Sequence, residues 1–152
     1  MDEALQEARA ALKEREVPIG AVVVHQGEII GRGHNKVEGS KNPTAHAEIL
    51  AIRQAGAAIG NWRLSGCSLY VTVEPCVMCL GAILLAKISE LVYALREPNT
   101  GAVRSKVGLM GIWGGKNLLV SEGVRKEPSL FLLQSFFTQL RDKKGRGTEV
   151  WP

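Results

Sequence analysis

The chain has little with which to build a cross-linked or membrane-embedded protein. It carries three cysteines in 152 residues, and an odd count without a secretory leader argues against a disulfide framework. No apolar run reaches the roughly 18 residues that a bilayer crossing requires, so no membrane partner is expected. Met1 to Glu16 is acidic and amphipathic and lacks an apolar stretch followed by small residues. That pattern is not a secretory signal, and the expected compartment is the cytoplasm. Internal repeats, low-complexity tracts and linkers are also missing. The length therefore predicts one domain, 1–152, able to bury a core without staples. With 45% hydrophobic and 22% charged residues, the composition is that of an ordinary soluble globular protein.

Charge is unevenly spread. Met1 to Leu95 holds nine Lys/Arg and ten Asp/Glu, whereas Arg96 to Arg146 holds ten and four. A basic final third suits a polyanionic partner and equally suits a solvated basic face.

Asp2 to Glu16 predicts a helix, with Ala4, Leu5, Ala8, Ala11 and Leu12 at the helical period and Pro18 ending it. Ile19 to His25 and Glu28 to Arg32 read as a hairpin across Gln26-Gly27. Gly31, Gly33 and the polar stretch Asn35 to Asn42 read as loop. Asn42-Pro43 predicts a helix start, because Asn caps well and Pro suits the first helical position; that helix runs to about Ala58. Ser68 to Val73 is a strand, Pro75 to Lys87 a helix, Ile88 to Leu95 a strand and Leu118 to Ser121 a short final strand. The glycine-rich Thr100 to Gly115 is either a loop or a broken helix. Pro128 to Lys143 closes the domain as a helix, and 145–152 reads as a frayed tail. The alternation of elements indicates a layered α/β domain.

Two segments carry chemistry: His46-Ala47-Glu48 and Pro75-Cys76-Val77-Met78-Cys79. One His and a C-x-x-C supply the three ligands of an open, catalytic zinc site, leaving a fourth position for water. No fourth Cys or His makes an obvious partner, since His25 and His34 lie in or beside the hairpin and Cys67 precedes an apolar run as a small core residue. Both motifs fall at predicted helix starts, where the dipole favours thiolates and a hydroxide. His46 and Glu48 stand two positions apart, so they could share a metal lying beyond the helix end but not one along its side. Zinc lowers the pKa of its water to about 7. Glu48 would carry a proton from that water to a ring nitrogen and then to the leaving amine. H-x-E with P-C-x-x-C is the signature of zinc deaminases acting on nucleobases.

On these motifs the chain resembles the cytidine deaminase-like superfamily, and within it the bacterial tRNA-specific adenosine deaminases. The segments Glu14 to Val22, Asn42 to Ile49 and Tyr70 to Cys79 look like that family's first strand and two zinc motifs. Thr100-Gly101-Ala102 and the closing helix around Phe136-Phe137 also match. The resemblance implies a three-layer α/β/α fold with a five-stranded mixed sheet, one catalytic Zn2+ per chain and a homodimer. It implies conversion of adenosine to inosine at the wobble position of a tRNA anticodon stem-loop, with hydroxide attacking adenine C6. Asn35 would bind the flipped nucleoside, while Val17, Ala47 and Pro75 would shape its pocket. Phe136, Phe137 and Arg141 would lie near the anticodon loop, with one of the two aromatics buried. Glu97 stands where the family commonly has Asp and would contact substrate. The stretch 103–117 departs from the family pattern, and the first helix is short at its start.

Three other readings share these motifs. A free-base or nucleoside deaminase for guanine or cytosine would carry nearly the same zinc segments. A family member adapted to single-stranded DNA would differ in how it treats the 2′-hydroxyl. A zinc-stabilised nucleic-acid-binding module would keep the ligands but have no use for Glu48.

Overall fold

The computed structural model describes residues 1–108 and 117–145. In chain order the elements are α1 (Asp2–Lys13), β1 (Gly20–His25), β2 (Glu28–His34), α2 (Val37–Ser40) and α3 (Ala47–Ile59), followed by β3 (Cys67–Val73), α4 (Val77–Leu85), β4 (Glu90–Leu95), β5 (Leu119–Glu122) and α5 (Lys126–Gly145). The strands form one five-stranded sheet in the order β2-β1-β3-β4-β5. β1 runs antiparallel to both neighbours, whereas β3, β4 and β5 are mutually parallel. Helices α3 and α4 pack together on one face and α1 and α5 on the other. The mixed sheet in a three-layer α/β/α arrangement is the expected one.

The main core lies between the sheet and α3/α4. Ala47, Ala51 and Ala55 line the buried face of α3, with Leu80 and Ile83 from α4 and Leu69, Val71, Leu91 and Tyr93 from the strands. Cys67 is fully buried in this cluster, as a core residue should be. A smaller cluster of Leu5, Ala8 and Leu132 joins α1 to α5.

Gly31 and Gly33 were expected in a loop, but both belong to β2, which continues to His34. The reason lies across the layer. A Cβ on Gly33 would sit 2.3 Å from the Ala47 carbonyl, and one on Gly31 2.3 Å from that of Ala51. Bare backbone on the strand and alanine on the helix let α3 seat directly on the sheet edge.

Several boundaries also moved. Helix α1 stops at Lys13 rather than Glu16, closed by Arg15 N–H to Leu12 and Glu16 N–H to Ala11, with Arg15 left-handed at φ 63°. The helix expected from Asn42-Pro43 starts at Ala47. Asn42 instead caps a turn, its Oδ1 accepting the Thr44 amide at 2.9 Å and hydroxyl at 2.8 Å. The next helix starts at Val77, two residues after Pro75. The short α2 occupies part of the stretch read as loop. Helix α5 begins at Lys126, so Pro128 falls in its first turn, where its missing N–H costs no helical bond. Gly101 forms an isolated bridge with Cys76 and a turn follows over 102–105, while 109–116 and the tail beyond Gly145 lie outside the described residues.

Candidate active site

The displaced helix starts are what assemble the site. His46 and Cys76 become the N-cap residues of α3 and α4, both with extended backbone, and neither side chain caps its own helix. Their side chains are therefore free to turn toward each other across the two adjacent helix ends. Cys79 sits one turn into α4 on its buried side. The His46 Nδ1 lies 3.7 Å from Cys76 Sγ and 3.5 Å from Cys79 Sγ. The donor atoms of His46, Cys76 and Cys79 all fall within 4.8 Å of one another, and this is the one such group among the described residues. Bond lengths of about 2.0–2.1 Å to nitrogen and 2.3 Å to sulfur, at a tetrahedral angle, put N and S about 3.5 Å apart. The cluster thus fits a zinc-sized cation without rearrangement. His25 and His34 are elsewhere. His34 bridges the carboxylates of Glu7 on α1 and Glu14 just beyond its end, at 2.9 and 3.3 Å.

Electrostatics at the cluster follow from burial and from the bonds among its own side chains. Cys76 is held down to about 4, first by a hydrogen bond from Cys79, then against its own burial by His46. Cys79 is pushed up by that same bond and by burial. His46 is raised chiefly by its bond with Cys76. A divalent cation among them would favour both thiolates. Glu48 follows one residue into α3, is 4% exposed, and burial pushes its carboxyl up to about 7.

This cluster opens onto a cleft of about 640 Å³, since His46 forms part of the wall. Val17, Asn35, Phe136, Phe137 and Arg141 line the same cleft. Four separated stretches, the α1–β1 connection, the end of β2, the start of α3 and the middle of α5, therefore meet there.

A profile of the MafB19-like deaminase family matches residues 1–141. The chain is 43% identical over 145 residues to the tRNA-specific adenosine deaminase of Streptococcus pyogenes serotype M1, covering 95% of this chain and 85% of that protein. The chain belongs to the tRNA-specific adenosine deaminase family. A solved structure from work on A-to-I editing by tRNA:A34 deaminases at the wobble position superposes with a TM-score of 0.84 at 43% identity, over 88% of this chain and 97% of that one. The guanine deaminase of Nitrosomonas europaea superposes at 0.78 with 27% identity, over 89% and 81%.

Within this family frame, the remaining expected site residues divide. Phe136 is buried at 7% exposure while Phe137 is half exposed, and their rings meet edge to face at 5.4 Å. One aromatic of the pair thus belongs to the core, as expected, and the other to the cleft mouth. Ala47 and Pro75 are buried beside the cluster but are not part of the cleft wall. The Pro75 carbonyl accepts the Ala102 amide at 2.9 Å. Glu97 lies outside the cleft wall too. Its side chain accepts the Asn99 amide at 2.9 Å, and its own amide donates to Glu74 Oε2 at 3.0 Å.

Two buried carboxylates went unread in the sequence. Glu74, directly before Pro75, accepts the amides of Glu97, Arg104 and Ser105 and the Ser105 hydroxyl, pinning the 97–105 turn against the cysteine motif. Burial works against its charge, but these donors hold the Glu74 carboxyl below its ordinary range. Gly101 must be glycine there, because a Cβ would fall 2.6 Å from Glu74 Oε2. Glu16, in the cleft wall, is 2% exposed. A charged residue directly preceding an apolar motif segment was the available signal in both cases.

Proposed function

We propose that this chain is a zinc-dependent hydrolase that converts adenosine to inosine at the wobble position of a tRNA anticodon, acting as one cytoplasmic deaminase domain. The observation that carries the reading is the convergence of His46, Cys76 and Cys79, with Glu48 buried beside them and His46 in the wall of a cleft that Asn35 and Phe137 also line. Family membership supports the substrate: relatives at 43% identity are tRNA-specific adenosine deaminases.

His46, Cys76 and Cys79 would hold the metal. Zinc bound there would supply a water acidified enough to act as nucleophile at neutral pH. Glu48 would take the proton released at that water, hand it to adenine N1 as C6 becomes tetrahedral, and deliver a second proton to the departing amine. Phe136, buried in the cleft wall, gives the site an apolar flank. Because an adenine inside a stack is unreachable, the substrate must present a splayed base in a loop. Phe137 and Arg141 at the mouth suit the flanking nucleotides by stacking and phosphate contact.

Glu48→Gln is expected to retain zinc and the melting temperature while losing about 10²–10⁴-fold in stem-loop deamination. Full activity in that variant would remove the mechanism. The structural likeness to guanine deaminase favours one second reading, a free-base enzyme. Turnover of guanine but not of an anticodon stem-loop would select it, and matched RNA and DNA loops would separate an RNA from a DNA editor.

A homodimer is part of this reading. On α4 the side chains of Val77, Met78 and Leu85 are exposed, Leu85 to 67%, and lie on one side of the helix. Such an apolar face suits a second copy of the chain. Leu85→Arg is expected to shift the protein from dimer to monomer in light scattering at micromolar concentration.

A further inference from the structure

Glu16 takes no part in the chemistry above, yet it is a 2%-exposed carboxylate on the wall of the substrate cleft. Both of its oxygens are engaged by protein. Oε1 accepts the Gly39 amide at 2.6 Å, and Oε2 accepts Asn35 Nδ2 at a longer 3.5 Å. Its backbone is fixed by the bond from its amide to the Ala11 carbonyl at the end of α1. Asn35 is itself 6% exposed, with its backbone amide donated to the Ile19 carbonyl at 3.0 Å.

A carboxylate can only accept, so it can hold only the nitrogen end of an amide. The Asn35 side chain thus has its NH2 turned to Glu16 and its Oδ1 turned away. Oδ1 has no hydrogen-bond partner among the described residues, and Asn35 itself lines the cleft. It is the polar atom that Asn35 has left to offer a ligand.

We propose that Glu16 is a positioning residue that sets the polarity of Asn35, so that the cleft presents a hydrogen-bond acceptor at this point and selects a donor on the substrate nucleotide. The inference rests on the nucleoside-deaminase reading for what fills the cleft. The chemistry selected is an N–H donor, the exocyclic amine of the base, because a hydroxyl could turn and accept from a flipped amide as readily as donate to an unflipped one. Through Gly39 the same carboxylate also seats α2, whose Val37 and Glu38 line the cleft.

Glu16→Gln is nearly isosteric and separates polarity from packing. The new side chain can still accept the Gly39 amide, but it turns its own NH2 toward that of Asn35. Two donors repel, so the Asn35 amide flips and offers NH2 to the cleft. The expected result is a KM for the stem-loop raised about tenfold or more, with a smaller change in kcat and an unchanged zinc content and melting temperature. Adding Asn35→Asp to Glu16→Gln should recover most of the lost affinity, because the amide at position 16 then donates to the introduced carboxylate, whose other oxygen again accepts. Asn35→Asp alone sets two carboxylates face to face and should be worse than the double variant. A double variant no better than Glu16→Gln overturns the proposal.

A stem-loop carrying 2′-deoxyadenosine at the target position checks which group is read. Glu16→Gln is expected to weaken ribo and deoxy substrates alike, since both carry the base amine. A loss confined to the ribo substrate overturns the assignment to the amine. The amide orientation is also readable without turnover, from the side-chain 15N–1H pair of Asn35 by NMR. That pair should shift on Glu16→Gln, and an unchanged pair overturns the proposal even if the stem-loop proves not to be the substrate.

Discussion

At the scale of the residue, the same side-chain type does different work according to its neighbours. Glu48 is driven toward its protonated form by burial, Glu74 is kept charged by four donors, and Glu122 is anchored by cations at the far edge of the sheet. Glu122 on β5 accepts the hydroxyl of the buried Tyr93 at 2.6 Å and the Arg96 guanidinium at 2.6 and 3.1 Å. Arg96 first, and then Tyr93, hold its carboxyl down to about 2 from an ordinary 4.5. Because the folded-state value is the lower one, the stabilisation is fully present above pH 4.5 and is lost as pH falls toward 2. The pair is largely solvated, so its effect on stability is small. Glu122→Gln should lower the melting temperature slightly at neutral pH and flatten its acid limb between those values. A limb that is identical in the variant would show that Glu122 does not couple to folding.

At the scale of the element, close helix-to-strand seating decides where the chemistry sits. Helix α3 carries His46 at its cap and Glu48 in its first turn, and its height above the sheet is set by Gly31 and Gly33 of β2. On the opposite face Gly20 plays the same part for α1, since a Cβ there would lie 2.1 Å from the Ala4 carbonyl. Gly33→Ala should push the first turn of α3 away from the strand. The expected cost is about 1–3 kcal/mol of stability, as for overpacking in a well-filled core. Zinc affinity should fall with it, because His46 moves relative to Cys76 and Cys79. Thermal melts paired with metal analysis check this, and a loss of stability with full metal content would separate the seating of α3 from the cluster. Gly27, with open space around its missing Cβ and a φ of +83°, serves the hairpin turn instead.

At the scale of the whole molecule, the candidate metal cluster ties together the two helices that cover the main core. A ligand that binds the folded chain and not the unfolded one stabilises it by mass action, by about 2.7 kcal/mol at a free concentration one hundred times its Kd. Stripping zinc with a chelator should therefore lower the melting temperature by several degrees, and adding back one equivalent should restore it. Indifference to both treatments would mean that the cluster holds no metal in the folded protein. The described residues contain no helix long and apolar enough to cross a membrane, which agrees with the absence of long apolar runs in the sequence.

What the sequence determined by itself was local. Donor types and their spacing in His46-Ala47-Glu48 and Pro75-Cys76-Val77-Met78-Cys79, and the apolar runs that became β1, β3 and β4, depend on neighbours a few positions away, so they were legible from the order of residues. Helix starts were readable only to within a turn. Asn42 and Pro43 are good helix-start residues, yet Asn42 spends its side chain on a local turn and leaves His46 to cap α3. The glycines of β2 looked like loop because their partner is a helix that begins fourteen residues beyond Gly33 in the chain. Glu97 was assigned to substrate by resemblance; in the fold its carboxylate accepts the Asn99 amide and its own amide donates to Glu74. Arg15, Glu16, Ile19, Val37, Glu38 and Leu140 entered the cleft wall unannounced. A cavity wall is built from faces of separate elements, and which face looks inward is decided when the layers pack. The metal donors came from the sequence, and tertiary packing decided the cleft they open into and the polarity it presents.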